Sequence, residues 1–350
     1  MRKNLFLITL ILIAIVSSLP LYAQEKPNSA VIKSENLFNS APFTECHAST
    51  IAETAEGLVA AFFAGTAEKN PDVGIWLCLQ NDGKWAEPVE IANGISPDGK
   101  RYPCWNPVLF YAGNGKLLLF YKVGPDPATW WGMMMQSADN GHTWGEPLRL
   151  PEGILGPVKN KAVKLANGDL LCPVSTEEGE WKVYFERTSD LGKTWSRSDF
   201  VNDPENLRAI QPAILVHKNG KLQALCRSRK NVIGETWSTD NGLTWSPLKA
   251  TKLPNPNSGI DAVTLSDGRH LLVYNPTIVP EGRWTGDRTP ISLAISKNGK
   301  KWRKIADLDT ESGELSYPAV IQAADGKVHV TYTWKRITIR HIVIDPTHIR

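Results

Sequence analysis

Cysteine is scarce in this chain, with five residues (Cys46, Cys78, Cys104, Cys172 and Cys226) among 350. An odd count leaves at least one thiol unpaired, and so few argue against a disulfide-built scaffold; most are expected to be small buried apolar residues. No C-x-x-C pair, H-E-x-x-H run or His-rich tract offers metal-ligand spacing, and no G-x-x-x-x-G-K loop is present to cradle phosphate. The sequence therefore predicts neither a metal nor a cofactor. A charge excess is missing too. Lys and Arg number 39 against 36 acidic residues, and without Arg2 and Lys3 the basic count is 37, a net charge of +1. That balance predicts neither nucleic acid nor a membrane surface as partner. Only one apolar run stands out, from Leu5 to Leu19, with Arg2 and Lys3 before it and Leu21-Tyr22-Ala23 after it. It is short of the roughly 18 to 20 residues of a spanning helix and reads as a signal peptide over residues 1–23. A secreted or periplasmic location follows, with no membrane insertion once the signal is removed.

What is present is a repeat. Ser238 to Trp245 reads S-T-D-N-G-L-T-W, and it recurs as S-A-D-N-G-H-T-W ending at Trp144 and T-S-D-L-G-K-T-W ending at Trp195. Weaker versions end at Trp85 and Trp302, so the five Trp positions step by 59, 51, 50 and 57 residues. A period near fifty identifies a repeat architecture. Helical periodicity is nearly absent, and short β-branched and aromatic runs follow Asn-Gly or Asp-Gly turns at Asn114, Asn167, Asn219, Asp267 and Asp325. Each unit therefore predicts four antiparallel strands, a propeller blade. The expected fold is all-β, a six-bladed β-propeller in one domain over residues 24–350. Its sixth blade runs from Tyr317 to Ile344 and is completed by Asn28 to Phe38, which closes the ring and removes open edges. The repeated box reads as structural. Its Asp or Asn caps a turn, its Gly takes a backbone conformation that other residues avoid, and its Trp packs between sheets.

Aligning the units on their innermost strands exposes a second register. His47, Asn106, Lys161, Gln211, Asp261 and Tyr317 step by 59, 55, 50, 50 and 56 residues. Innermost strands of a propeller begin around its axis at one face, so six different polar side chains are expected in one funnel. A base, a cation, a carboxylate, a phenol and two amides suit a polyhydroxylated ligand. Arg101, Lys122, Lys159, Arg227, Arg229 and Arg288 lie close to this register. Arg227 and Arg229 alternate in C-R-S-R, which puts them on one strand face, and guanidinium groups suit an anionic substrate. Trp105 and Trp284 lie outside the boxes and are candidate platforms for a sugar ring.

The boxes and this register resemble the sialidase (neuraminidase) superfamily, bacterial neuraminidase-like propellers with Asp-box (BNR) repeats, over the whole chain beyond the signal. The resemblance implies a Tyr nucleophile assisted by a Glu, an Asp acid/base and three arginines that clamp the substrate carboxylate. Tyr317 in S-Y-P-A matches the nucleophile, and Arg227 and Arg288 match the second and third arginines. His47 stands where the family has its first arginine, and Gln211 stands where it has the assisting Glu. Asp72, in E-K-N-P-D, matches the region of the acid. The expected activity is an exo-acting glycoside hydrolase on a terminal acidic or decorated sugar. Tyr317, Asp261, His47, Asp72 and Gln211 are its candidate catalytic residues. Arg227, Arg288, Lys161, Asn106, Arg101, Arg229, Trp105 and Trp284 are its candidate substrate-binding residues. The expected partner is a glycan, and the expected state a monomer. A uronate lyase using His47 and Tyr317 and a glycan-binding propeller without turnover are the alternatives.

Overall fold

Short strands joined by tight turns leave each sheet two apolar faces, and stacking the sheets radially covers both. The computed structural model describes residues 30–349; the signal sequence expected over residues 1–23 lies outside them. Blade 1 comprises Glu45–Thr54, Gly57–Gly65 and Gly74–Asn81, with Lys84–Trp85 and Val89–Ala92 sharing the outer position. Blade 2 comprises Cys104–Gly113, Lys116–Val123, Trp131–Ser137 and Leu148–Arg149. Blade 3 comprises Val163–Lys164, Leu170–Thr176, Lys182–Thr188 and Ser196–Arg197. Blade 4 comprises Ala209–Val216, Leu222–Ser228, Val232–Ser238 and Lys249–Pro254. Blade 5 comprises Asp261–Thr264, His270–Tyr274, Ile291–Ser296 and Arg303–Asp309. Blade 6 comprises Leu315–Gln322, Val328–Trp334 and Thr338–Ile344, and the early strand Val31–Asn36 pairs antiparallel on its outer edge. The molecule is thus a six-bladed propeller whose last blade joins both ends of the described chain. All five cysteines are buried and unpaired.

The boxes seal the seams between blades. In the blade 4 box, the Ser238 hydroxyl donates to Asp240 at 2.7 Å, the Gly242 amide donates to Ser238 at 2.8 Å, and the Thr244 amide donates to Asp240 at 3.0 Å. Gly242 has φ of +79°, and a Cβ there would meet a Leu171 methyl of blade 3 at 2.8 Å. Trp245 then stacks on Phe185 of blade 3, with ring centroids 3.7 Å apart. Hydrogen bonds from the threonine four residues on, with the Ser or Thr hydroxyl at the box start, hold Asp139, Asp190 and Asp240 at about 2, below the ordinary 3.8. A depressed carboxylate stabilises the fold above its unfolded pKa, and that contribution is lost as pH falls through the folded value. Denaturant midpoints are therefore expected to fall between about pH 4 and pH 2. Asp240→Asn should fold and show a shallower fall, because the blade 5 box already uses Asn298 Oδ1 to accept the Lys300 and Lys301 amides at 3.0 Å. An unchanged pH slope in that variant would refute the assignment.

Blade seams also contain buried charge. Glu186 and Lys122 are both fully buried, and both grip the segment that enters blade 3. Glu186 accepts the Leu155 amide at 3.0 Å and the Gly156 amide at 2.7 Å, while Lys122 Nζ donates to the Pro157 carbonyl at 2.9 Å. Burial moves the two groups in opposite directions, Glu186 up to about 7 and Lys122 down to about 7.

Four innermost strands carry a bulge near their start, where the ladder register shifts at His47/Thr50, Trp105/Val108, Ile210/Ala213 and Ser316/Ala319. The bulged residues Ala48, Asn106, Gln211 and Tyr317 have φ of +55°, +41°, +56° and +53°. In the last three, proline follows, a residue that sheets accept at bulges because no ladder amide is needed there. Amides freed by the bulges are met by hydroxyls from the neighbouring blade: Ala48 donates to Thr333 at 3.1 Å and Gln211 to Ser175 at 3.0 Å. Such strained backbone persists only where its surroundings hold it.

Candidate functional site

Tyr317 is the centre of a cluster of polar and aromatic side chains. Its bulge at the start of blade 6 leaves the phenol half-buried, facing the end of the second strand of blade 4. From there Arg227, 6 % exposed, donates through Nη1 to Tyr317 Oη at 2.6 Å and to Gln211 Oε1 at 3.3 Å. Its Nε donates to Asn257 Oδ1 at 2.9 Å. None of the three acceptors is a carboxylate, and among the described residues no carboxylate forms an ion pair with Arg227. The Glu177 carboxyl group lies close enough to interact with the Arg227 charge without forming an ion pair, so this buried cation is only partly compensated.

One side of the pocket is aromatic. Arg229 Cζ lies 3.4 Å from the Trp284 ring and 4.4 Å from the Trp181 ring, and Arg227 Cζ lies 5.3 Å from Trp181. Trp181 is buried and Trp284 is 62 % exposed, so only Trp284 offers a face to solvent. Glu177 hydrogen-bonds Trp181 within this wall, and burial raises its pKa despite the nearby Arg227 and Arg229 charges.

The other side is a charge network. Arg288 Cζ is 5.6 Å from the Tyr317 ring, and its Nη1 reaches Glu314 Oε1 at 2.6 Å. Glu314 also accepts from Ser316 at 2.7 Å and from Arg336 Nε at 2.8 Å, and Arg336 Nη1 reaches Glu68 at 2.7 Å. Burial would raise Glu314, but the groups around it, His47 with Arg288 and Arg336, outweigh burial and hold it well below the carboxylate range. His47 lies with its ring centroid 4.2 Å from that of Tyr317 and its Nε2 3.8 Å from Glu314. Burial, reinforced by Arg336, keeps its pKa well below the ordinary value, so the imidazole is neutral at pH 7.

The structure thus joins Tyr317, Arg227, Gln211, His47, Arg288, Arg229 and Trp284 in one continuous set of contacts, the last two through Trp181. Other sequence candidates lie elsewhere. Asp261 is 2 % exposed, and Lys161 Nζ reaches both its oxygens at 2.8 and 2.9 Å. The amides of Ala262 and Val320 add 2.8 Å bonds, so this carboxylate is already saturated and Lys161 is its structural partner. In blade 3 the axial place belongs to Lys159, which donates to the Asn160 side chain and the carbonyls of Ile260 and Pro318 beneath Tyr317. Asp72 bonds the Thr66 amide at 2.8 Å and hydroxyl at 2.9 Å, tying its own loop. Glu68 of that loop is the residue that reaches the pocket network. Arg101 pairs with Glu90 at 3.1 Å and the Asp72 carbonyl at 2.9 Å, on the rim. Trp105 is 2 % exposed and donates to the Gly124 carbonyl at 2.8 Å, so its ring is closed to a ligand. Asn106 is buried in its own bulge. Glu68, Glu177, Trp181, Glu314 and Arg336 were not among the sequence candidates. Of these, Glu314 alone had a local signal, three residues before the Tyr317 bulge. Among the described residues no group of three or more His, Cys, Asp or Glu could hold a metal.

Comparison with known proteins agrees with the architecture. The family model described as BNR repeat-like domain matches residues 56–330. No curated protein matches the chain. A Dyadobacter fermentans protein of unknown function superposes with a TM-score of 0.73 at 19% identity, covering 91% of this chain and 100% of that one. Hadza microbial sialidase Hz136 gives 0.72 at 15% identity, with 87% and 66% covered. Trypanosoma rangeli sialidase gives 0.67 at 19% identity, with 89% of this chain but 56% of the sialidase covered. The chain belongs to the BNR repeat-like domain family, as a divergent member with the sialidase-like six-bladed fold.

Proposed function

We propose that the protein is an exo-acting glycoside hydrolase for a terminal sugar that carries a carboxylate or similar anionic group. One observation carries this reading: the buried Arg227 cation forms no ion pair among the described residues and donates to the Tyr317 hydroxyl at 2.6 Å. A sugar carboxylate placed beside Arg227 and Arg288, whose Cζ atoms lie 5.7 and 5.6 Å from the Tyr317 ring centroid, would pair with their guanidinium groups. Tyr317 then faces the anomeric carbon as nucleophile. Its hydroxyl proton passes to the neutral His47 imidazole, whose ring centroid lies 4.2 Å from that of Tyr317, and water later releases the sugar from the tyrosine; Gln211 cannot take that proton and instead helps to orient Arg227. Glu177, with its pKa raised by burial, is the carboxyl suited to protonate the leaving oxygen. Trp284 flanks the opening. We also infer export, from the N-terminal sequence; among the described residues no helix is long and apolar enough to cross a membrane.

The test is a panel of sialosides, uronides and rhamnosides, with products followed by mass spectrometry and ultraviolet absorption. Hydrolysis of an acidic glycoside, lost in Tyr317→Phe while circular dichroism is unchanged, is the expected result. Full activity in Tyr317→Phe overturns the reading, and an unsaturated, ultraviolet-absorbing product replaces it with lyase chemistry. A second reading, binding without turnover, is favoured by the Gln211 amide; calorimetric binding of an acidic sugar with no product after days of incubation would establish it.

A further inference from the structure

The innermost strand of blade 4, Ala209–Val216, passes Arg227 and Tyr317 at Gln211 and ends at Val216. His217 follows, six residues from Gln211 and about 20 Å away at 3.3 Å per residue, on the opposite face of the ring. There the turn of blade 4 and the box turn of blade 5 flank an open cavity of about 640 Å³, within the range of about 300–1,000 Å³ that holds small ligands. Its base is two imidazoles in contact, His217 and His270, with ring centroids 4.3 Å apart and planes inclined by 56°, and Trp237 packs on His217 at 4.9 Å. The walls are fixed. Gln223 donates to the Gly299 carbonyl at 2.8 Å across the blade seam and bonds the His217 ring at 3.2 Å, while His270 bonds Thr264 at 2.9 Å.

Four lysines line this cavity: Lys218, Lys221, Lys297 and Lys300. All four are exposed, and among the described residues none forms an ion pair. Glu235 sits beside the cavity, but its Oε2 is taken by Gln223 and by Trp237 Nε1 at 2.8 and 3.2 Å. Lys300 Nζ lies 5.5 Å from the Trp237 ring centroid, so a cation and a flat apolar face are presented together. Burial keeps both imidazoles below their ordinary pKa, so at pH 7 they contribute surface and hydrogen bonds while the lysines contribute charge.

We propose that this cavity is a second ligand site, remote from Tyr317, for an anionic glycan chain bearing sulfate or carboxylate groups. Lys221, Lys297 and Lys300, with Lys218 near the Asp267 carboxylate, surround an aromatic floor and match a sugar with spaced single charges. The chain's near-zero bulk charge supplies no long-range field of the kind that gathers nucleic acid. The glycan identity of the occupant rests on the proposed reading of the Tyr317 pocket; the preference for anions does not. A polymer held here would raise the effective concentration of its own ends at the opposite face.

The experiment is calorimetric titration of the full chain with a chondroitin sulfate oligosaccharide, for the parent, a Lys297→Gln/Lys300→Gln double variant and Arg227→Ala. Binding should weaken about tenfold in the lysine variant. It should stay within about twofold in Arg227→Ala, because that site is distant. No binding by the parent, or equal binding by the lysine variant, overturns the proposal. Loss confined to Arg227→Ala also overturns it, by locating the probe in the Tyr317 pocket. Equally tight binding of single-stranded DNA of matched charge overturns the glycan assignment. If acidic glycosides neither bind nor turn over at Tyr317 while chondroitin sulfate still depends on the lysines, the Tyr317 reading fails and this one stands.

Discussion

Arg227→Met is expected to lower kcat/KM on an acidic glycoside by about 10²–10³-fold, the usual effect of removing one preorganised donor from a reacting centre. The loss should split informatively. Arg227 both receives the substrate anion and fixes the Tyr317 hydroxyl, so KM should rise and kcat should fall together. On a neutral analogue of the same sugar, only the kcat part should remain. Arg227→Lys should recover little, because an ammonium cannot bond Tyr317, Gln211 and Asn257 with the geometry of a planar fork. Unchanged kcat/KM in Arg227→Met, with the fold intact by circular dichroism, would refute an anion role for this pocket.

The second large effect is on stability. Glu186→Ala is expected to destabilise the propeller by about 3–5 kcal/mol, read as a shift of urea midpoint at constant slope. Two causes add. The amides of Leu155 and Gly156 lose their acceptor in a buried seam, and Lys122 loses the negative charge that partly offsets its burial. Glu186→Gln retains one acceptor oxygen and should cost roughly 1–2 kcal/mol. A Glu186→Leu/Lys122→Met double variant removes both charges and should recover part of the loss, but not all, since the two amides remain orphaned. The same segment leads into Lys159, the lysine beneath Tyr317, so activity should fall alongside stability in Glu186→Ala.

The fold was legible because its signals are local and periodic. An Asp box fixes a turn within eight residues, its Trp marks a seam, and an Asn-Gly turn marks a strand pair. The second register was legible for a related reason: Asn106, Gln211 and Tyr317 each precede a proline, and each is the bulged residue of its strand. In blade 1 the bulged residue is Ala48, so His47 lies one position early yet still reaches Tyr317. Blade 3 breaks the rule outright. Its innermost strand is only Val163–Lys164, and the segment ahead of it bends so that Lys159, not Lys161, plugs the axis. Glu68, Glu314 and Arg336 form a pocket network from three loops with no shared spacing. Their meeting depends on ring closure, which no local pattern encodes. The same holds for Asp261: its type suggested an acid, but only geometry shows that a lysine and two amides have already engaged its oxygens.

Ring closure makes the pocket a gauge of seam integrity. Val31–Asn36 reaches the outer edge of blade 6 only by pairing with Thr338–Ile344, and the chain just beyond it stays joined to that blade through Leu37 to Ile339 and Phe38 to Thr338. Next to these bonds, the Cys46 amide donates to the Arg336 carbonyl at 2.8 Å, which links blade 1 to the hairpin that presents Arg336. His47 comes from the first blade and Tyr317 from the last, so the two rings meet only across this join. Fraying of the seam would part them while the other five sheets keep their internal ladders. Heating should therefore silence ligand binding before the far-ultraviolet β signal fades, and the gap between the two curves would measure how loosely the ring is latched.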